Sequence, residues 1–195
     1  MSRERRFNII VGSPGAGKST FTAGMVKKYA ENIIVYKHIA NIDDKAFSFL
    51  TEKNVNNFRQ GVAPGAPVQC KFAGRQEDYK KFLLWAIKNY RNGMLVVDDA
   101  TLFERDRMSA EMKELVTMRR HYGIDIILVY HGLSYLPIDQ FVFVNNIVLF
   151  NTTDNIKYKN NKLPNMADLE RAVLLARQNY QSTANRYTPA IVRLS

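Results

Sequence analysis

The feature that most constrains the fold is the segment at residues 12–19, which reads Gly-Ser-Pro-Gly-Ala-Gly-Lys-Ser and satisfies the pattern G-x-x-x-x-G-K-[ST]. An apolar run at 7–11 precedes it, and apolar side chains with helical spacing follow it in residues 18–30. In a strand, loop and helix of this kind, backbone N–H groups and the positive end of the helix surround phosphate groups. A plain glycine turn before a helix would explain neither the lysine nor the serine. The segment therefore predicts a phosphate-binding loop for a nucleotide.

We expect nucleotide contacts from the whole loop and from the start of the helix that follows it. The residues are Gly12, Ser13, Pro14, Gly15, Ala16, Gly17, Lys18, Ser19 and Thr20. The Lys18 ammonium should reach the β- and γ-phosphates and act in catalysis, and the Ser19 hydroxyl should ligate Mg²⁺. The expected cofactors are therefore ATP and Mg²⁺.

A second apolar run, at 94–97, ends in two carboxylates, Asp98 and Asp99. A carboxylate at the tip of a buried strand is costly unless it meets a cation or water. We expect Asp98 to hold Mg²⁺ through its water shell and Asp99 to polarise the attacking water as a general base. Asp99 stands where ATPases of this class usually carry the longer glutamate, so Glu104 is the alternative base. The other interpretation is that the two aspartates simply begin a loop.

A third apolar run, at 124–130, is followed by His131. A polar side chain at the carboxyl end of a strand next to a nucleotide crevice can contact the terminal phosphate or the attacking water. His131 is therefore a candidate sensor, and the alternative is a histidine that caps the next turn.

Apolar runs alternate with helical patterns along the chain, which predicts an α/β fold with three layers and a mainly parallel central sheet. We expect a single domain over 1–195, with a core at 7–150 and a last helix and strand in 151–195 that complete it. Thr101 and Glu104 predict a capping box for a helix that closes at Gly123. Residues 54–74 read as a loop, with a short strand at 68–72.

Composition excludes an internal disulfide and a membrane span, and it favours one kind of partner. Cys70 is the only cysteine, so no internal disulfide can form, and no apolar run approaches the roughly 20 residues that span a bilayer. No transmembrane segment is therefore expected. The formal net charge is +10, which favours a polyanionic partner, nucleic acid first and a membrane surface second.

Two groups of basic residues are candidates for phosphate contacts, although each is equally typical of a solvated surface. They are Lys157, Lys159 and Lys162 around Tyr158, and Arg75, Lys80 and Lys81.

The order of the motifs resembles the FtsK–HerA superfamily of P-loop ATPases. The resemblance rests on the phosphate loop, the strand ending in two aspartates, the stretch Met-Arg-Arg-His-Tyr-Gly-Ile-Asp at 118–125 and the apolar run after it. Residues 7–150 look most like the genome-packaging ATPases of tailless, membrane-containing viruses, and the zonula-occludens-toxin-like phage assembly ATPases are related. In the superfamily the fourth strand usually ends in glutamine, where this sequence has His131.

The resemblance implies a RecA-like Mg-dependent ATP hydrolase that moves double-stranded DNA, as a ring of five or six copies, into a capsid. It also implies an arginine finger aimed at a neighbouring subunit's nucleotide. Arg119 and Arg120 match best, with Arg105 and Arg107 behind them, and a solvated helix end is the alternative. A capsid or membrane vertex protein is the implied docking partner, and the host cytoplasm or the virion is the implied location.

Two other functions use the same motifs. A small-molecule kinase would need an arginine-rich lid over the phosphates, and no such segment stands out. A phage assembly or export ATPase acting on protein shares every motif with the packaging motor, and stimulation by duplex DNA would separate the two.

Overall fold

The computed structural model describes residues 4–28, 32–38, 45–54, 69–154, 166–182 and 186–194. The strands in these ranges are β1 Phe7–Val11, β2 Asn32–His38, β3 Thr51–Asn54, β4 Gln69–Gly74, β5 Gly93–Val97, β6 Ile124–Tyr130, β7 Asn146–Leu149 and β8 Ala190–Arg193. The helices are α1 Lys18–Lys27, α2 Gln76–Asn89, α3 Ala110–Tyr122 and α4 Met166–Gln181.

The strands form one sheet in the order β3-β4-β2-β5-β6-β1-β7-β8. Neighbouring strands are parallel except for β8, which runs antiparallel to β7 at the edge. The central strands β5 and β6 are buried along their whole length, as expected for strands covered on both faces. The predicted three-layer α/β architecture is confirmed.

Two apolar clusters mark the two faces of the sheet. One joins strand side chains such as Ile9 and Leu95 to buried residues of α2, α3 and α4. The other joins the alternate strand side chains, such as Ile10 and Val96, to buried residues of α1. Side chains alternate across a strand, so this division follows directly from the sheet's geometry. Three helices therefore cover one face, and α1 covers the other.

The structure differs from the sequence expectation in two places. The sequence analysis did not predict β3, which ends at the first residue of the segment read as a loop, whereas the short strand expected at 68–72 corresponds to β4, and these two strands pair in parallel. The predicted capping box is wrong, because Ser109 caps α3 and its hydroxyl accepts from the N–H of Met112. Gly123 ends this helix with a φ of 69°, as predicted.

The parallel strands bring their carboxyl ends to one edge of the sheet, which we call the carboxyl edge. The phosphate loop after β1, the aspartates after β5 and the histidine after β6 all lie at this edge. In open parallel sheets this is where ligands bind. In the described part of the chain, no helix is both long and apolar enough to cross a membrane.

Candidate nucleotide-binding site

The phosphate loop is fixed at its base by the neighbouring strands. The N–H of Gly12 donates to the carbonyl of Tyr130 at the end of β6, at 3.2 Å, and the N–H of Ser13 donates to the carbonyl of Asn151, at 2.8 Å. A Cβ at Gly12 would lie 2.6 Å from the Cβ of Phe150, so only glycine fits between β1 and the segment after β7. The loop therefore begins from a rigid position.

The turn itself uses the left-handed backbone that glycine adopts readily. Gly15 has a φ of 76° and Gly17 a φ of 95°, and the N–H of Ala16 donates back to the carbonyl of Ser13 at 3.2 Å. Pro14 and Gly15 are exposed at the outside of the turn. This conformation leads the chain directly into the first turn of α1, as the sequence pattern predicted.

Lys18 folds back over the loop. Its ammonium donates to the carbonyl of Gly12 at 2.6 Å and to that of Ser13 at 3.0 Å, and the residue is 6% exposed. Burial lowers the pKa of Lys18 from its ordinary value, and the carboxylates of Asp98 and Asp99 act in the opposite direction. Both aspartates therefore act electrostatically on the buried ammonium of Lys18.

A cavity of about 610 Å³ opens beside the loop. Ser19 and Thr20, at the start of α1, line it together with Gly15, Gly17 and Lys18. Among the described residues, Phe21 and Tyr187 complete its lining with aromatic side chains. Of the nine predicted nucleotide contacts, five therefore lie around one cavity, and the others form the loop behind it.

Asp98 lies in an ion pair that the sequence did not reveal. Its carboxylate is 3.4 Å from the ammonium of Lys37, and the side chains are 9% and 3% exposed. Lys37 is on β2, and β2 pairs with β5 so that Tyr36 faces Val97, which sets the next residue on each strand side by side. The ammonium of Lys37 also lies 5.3 Å from the centre of the Phe47 ring.

Asp99 and His131 are brought together. The Nε2 of His131 lies 2.9 Å from the Oδ1 of Asp99, and the N–H of His131 donates to the Thr101 hydroxyl at 3.1 Å. Asp99 has a φ of 61°, which turns the chain sharply after β5. The histidine at the end of β6 therefore contacts the predicted base directly, and it lies at the predicted strand end.

Glu104, the alternative base, is fully buried and engaged elsewhere. Its carboxylate accepts from the N–H of Ser109 at 2.5 Å and from the Ser109 hydroxyl at 2.6 Å. Burial raises the pKa of Glu104 to about 7, while the bonds from Ser109 act against the shift. This carboxylate holds the start of α3, a structural role.

The four predicted finger arginines separate into two locations. Arg119 is buried, and its guanidinium donates to the carbonyl of Val116 at 2.8 Å and to Oδ1 of Asn145 at 3.3 Å. Asn145 also accepts from the N–H of Phe7 at the start of β1, at 2.9 Å. Arg119 therefore lies at the amino edge of the sheet, away from the phosphate loop of its own chain.

Arg120 is at the same amino edge, where its exposed side chain lies 3.2 Å from Glu4. Arg105 and Arg107 are exposed at the carboxyl edge, in the segment after the aspartates. The guanidinium carbon of Arg105 lies 5.5 Å from the centre of the Tyr135 ring. A finger role for any of the four stays a prediction.

Of the two predicted basic groups, the structure describes one and not the other. Arg75 follows β4 at the carboxyl edge, and Lys80 and Lys81 are exposed on α2, where Lys80 lies 3.3 Å from Glu111. The predicted group of Lys157, Lys159 and Lys162 around Tyr158 lies outside the described residues.

The predicted magnesium ligands fit the ion by their chemistry. Mg²⁺ prefers oxygen donors and is usually bound through one or two protein groups together with the phosphates of the substrate. Ser19 contributes a hydroxyl at the cavity wall, and Asp98 contributes a carboxylate near Lys18. Both remain candidates for this role.

Sequence reasoning missed Lys37 and Tyr187. For Lys37 a signal existed, because a lysine near the end of an apolar strand places a charge in the interior, and such a charge needs a partner. For the second no local signal exists, since the tyrosine reaches the loop only through the fold.

Comparison with known proteins identifies the family and the fold of the chain. The family model described as an AAA domain matches residues 2–133. No curated protein sequence matches the chain. The structure is similar to the genome-packaging NTPase B204 of Sulfolobus turreted icosahedral virus 2 in its sulfate complex, with a TM-score of 0.72, 15% identity and coverage of 99% of this chain and 93% of that one.

Two further structures show the same fold. The AMPPCP complex of that NTPase has a TM-score of 0.64 at 14% identity and covers 91% of this chain and 87% of that one. The DNA-packaging ATPase B204 of Sulfolobus turreted icosahedral virus has a TM-score of 0.61 at 16% identity, and the match covers 90% of this chain and 85% of that one. The expected likeness to viral packaging ATPases is confirmed at the level of the fold. The chain belongs to the AAA domain family and has the α/β fold of the P-loop NTPases.

Proposed function

We propose that this chain is a Mg-dependent ATPase that moves double-stranded DNA during the packaging of a viral genome. The observation that carries the proposal is the position of Lys18, which lines the cavity beside the phosphate loop and is acted on electrostatically by Asp98 and Asp99. Lys18 holds the β- and γ-phosphates, and Ser19 and Asp98 hold the metal. Bound Mg²⁺ would neutralise charge on the phosphates during hydrolysis.

Asp99 accepts a proton from the attacking water, and His131 orients that carboxylate from 2.9 Å away. A base beside the terminal phosphate matches the recurring parts of P-loop NTPases, in which positioning and electrostatics do most of the catalysis. Release of phosphate without any acceptor molecule would separate this activity from that of a small-molecule kinase.

The partner is inferred from charge and from likeness. The formal net charge is +10, and exposed Arg75, Lys80 and Lys81 extend from the carboxyl edge along α2. The similar solved structures are a genome-packaging NTPase and a DNA-packaging ATPase. These facts support duplex DNA as the partner. As part of the same proposal, a capsid or membrane vertex protein is the docking site, and the host cytoplasm or the virion is the location.

We further propose that the chain acts as one domain in a ring of five or six copies, and that each active site is completed by a neighbour's arginine. Arg105 and Arg107 are favoured for this role, because they are exposed in the segment that follows β5, at the same edge of the sheet as the phosphate loop. Arg119 is buried at the opposite edge. A neighbour's guanidinium would stabilise charge as the phosphoryl group leaves.

The test is hydrolysis of Mg-ATP measured with and without linear duplex DNA, over a range of protein concentrations. We expect activity per subunit to rise with concentration as the ring forms, and to rise again on addition of DNA. The same stimulation by an unrelated polyanion such as heparin would contradict a DNA-specific motor. If added DNA left the rate of hydrolysis unchanged and a protein partner raised it, the result would favour the assembly or export ATPase.

A further inference from the structure

A short turn near the end of the chain lies against the phosphate loop. Tyr187 lines the cavity together with the loop residues and Phe21. A Cβ at Gly17 would lie 2.9 Å from Cδ1 of Tyr187, so the tyrosine ring touches the loop backbone itself. Gly17 is therefore required both by its φ of 95° and by the closeness of this ring.

Tyr187 is held in place from α4, although its own ring is open. Arg186 donates from Nη2 to the hydroxyl of Tyr180 at 3.2 Å, and its guanidinium lies 4.9 Å from the centre of that ring. On the other side of Tyr187, the carbonyl of Thr188 accepts from Nδ2 of Asn179 at 3.1 Å. The turn is thus bonded to the last part of α4 before and after Tyr187.

Tyr187 is nevertheless 59% exposed as a residue, in contrast to the buried tyrosines of the core. The guanidinium carbon of Arg186 lies 5.8 Å from its centre. An open aromatic ring, fixed by its backbone and facing a cavity, loses little conformational freedom when a flat ligand covers it. These are the properties of a stacking surface.

The position of the cavity indicates which part of a nucleotide would reach this ring. The loop amides and Lys18 hold the phosphates at the start of α1, and the rest of the molecule must extend into the space that Thr20, Phe21 and Tyr187 border. Phe21 already packs edge-on against Phe150, with 5.4 Å between ring centres. Of the two aromatic residues that the structure describes at this cavity, Tyr187 is the one with an open ring.

We propose that Tyr187 stacks on the base of the bound nucleotide, with Arg186 fixing the turn that presents it. The proposal rests on the proposed function of the phosphate loop and adds the base-binding side of the same site. Stacking uses the face of the base and not its edge, so it contributes affinity whichever purine is bound.

The experiment is titration calorimetry of the full chain with three magnesium complexes. Mg-ATP carries phosphates, sugar and base, the magnesium complex of ribose 5-triphosphate lacks the base, and Mg-tripolyphosphate lacks both sugar and base. The variants are Tyr187→Ala, Tyr187→Phe and, as a control in the same segment, Ile191→Ala, whose exposed side chain lies outside this cavity.

We expect Tyr187→Ala to weaken Mg-ATP binding about tenfold, the lower range for loss of one base–aromatic stack. Binding of ribose 5-triphosphate and of tripolyphosphate should stay unchanged, and Tyr187→Phe should bind Mg-ATP like the wild type because the phenyl ring remains. Ile191→Ala should bind all three complexes normally. Thermal melting of each variant checks that the fold is retained.

Three results would overturn the stacking surface while leaving the ATPase in place. One is unchanged Mg-ATP binding by Tyr187→Ala, and another is an equal loss for all three complexes, which would mean that the ring supports the loop and not the base. A loss shared by ATP and ribose 5-triphosphate alone would assign the contact to the sugar and also overturn the proposal. If the wild type bound none of the three complexes, the proposed function itself would fail.

Discussion

The ammonium of Lys37 lies 3.4 Å from the carboxylate of Asp98, and both side chains are buried. The pair joins β2 to the residue after β5, two strands that are neighbours in space although a long stretch of sequence separates them. The carboxylate proposed to hold the metal therefore already has a cation beside it. A buried charge that loses such a partner is strongly unfavourable.

Lys37→Met should lower the free energy of unfolding by about 3 kcal/mol, because it leaves the Asp98 carboxylate buried without this cation. Urea unfolding at neutral pH measures the change. The double variant Lys37→Met with Asp98→Asn serves as the matched control, since it removes both charges. If the double variant were as unstable as the sum of the two single variants, the ion pair would not be the source of the loss.

Lys18→Ala should weaken Mg-ATP binding by about 100-fold or more, because a buried ammonium paired with phosphate is lost. Calorimetric titration measures the affinity. Lys28→Ala removes an exposed charge just after α1 and should bind normally. Normal binding by Lys18→Ala would place the phosphates outside the loop.

Asp99→Asn should bind Mg-ATP normally and lose about 10²- to 10⁴-fold in kcat, the range for removal of a general base. Asparagine tolerates the left-handed backbone at this position, so the fold should be retained. Single-turnover hydrolysis measures the effect. His131→Gln is the companion variant, and it should retain much of the activity because the amide can still donate to the carboxylate. Normal hydrolysis by Asp99→Asn would require another base.

Stability should depend on pH through Glu104. Its folded pKa of about 7 lies above the ordinary value of 4.5, so between these two values the folded chain binds more protons than the unfolded chain. The contribution of Glu104 to the free energy of unfolding is therefore present below about pH 4.5 and is lost as the pH rises towards 7, by about 3 kcal/mol in total.

Urea unfolding of the wild type and of Glu104→Gln at pH 5 and pH 7 checks this dependence. The variant should lose most of the difference between the two pH values. Glu170→Gln, which changes an exposed carboxylate on α4, should behave like the wild type. An unchanged pH dependence in Glu104→Gln would show that the group titrates alike in both states.

Arg105→Ala should lower kcat by about 10³-fold if Arg105 completes a neighbouring site, with Mg-ATP affinity nearly unchanged. Mixing this variant with Lys18→Ala should then restore part of the activity, because a subunit with an intact loop can receive the arginine of its neighbour. The control is Arg171→Ala, an exposed arginine on α4. If Arg105→Ala alone kept full activity, Arg105 would not be the finger, and Arg107 would be tested next.

The sequence predicted the parts of the site that are encoded by adjacent residues. The loop at 12–19 and the carboxylates at 98 and 99 each follow one apolar strand, and the sheet topology brings their ends together. The contact between Asp99 and His131 follows from the same rule, since both residues stand at strand ends on the carboxyl edge.

Other features depend on partners far along the chain and could not be predicted in this way. Arg119 was predicted as an arginine finger, with a solvated helix end as the alternative, but it is buried and bonded to Asn145, which also binds the start of β1. Tyr187 reaches Gly17 only because β8 turns back along β7. The N-cap of α3 was predicted at the wrong residue. Glu104 accepts from the N–H of Ser109 across the intervening loop, and the spacing of a capping box does not predict this contact.

The left-handed backbone at Asp99 gives a reason for the short carboxylate found there. Aspartate is one of the few residues besides glycine that enters this region readily, because its side chain can bond locally. Glutamate has a longer side chain, but it enters this left-handed backbone region less readily. The bend itself turns the carboxylate toward His131, so this edge of the sheet pairs a compact acid on a sharply bent backbone with a histidine.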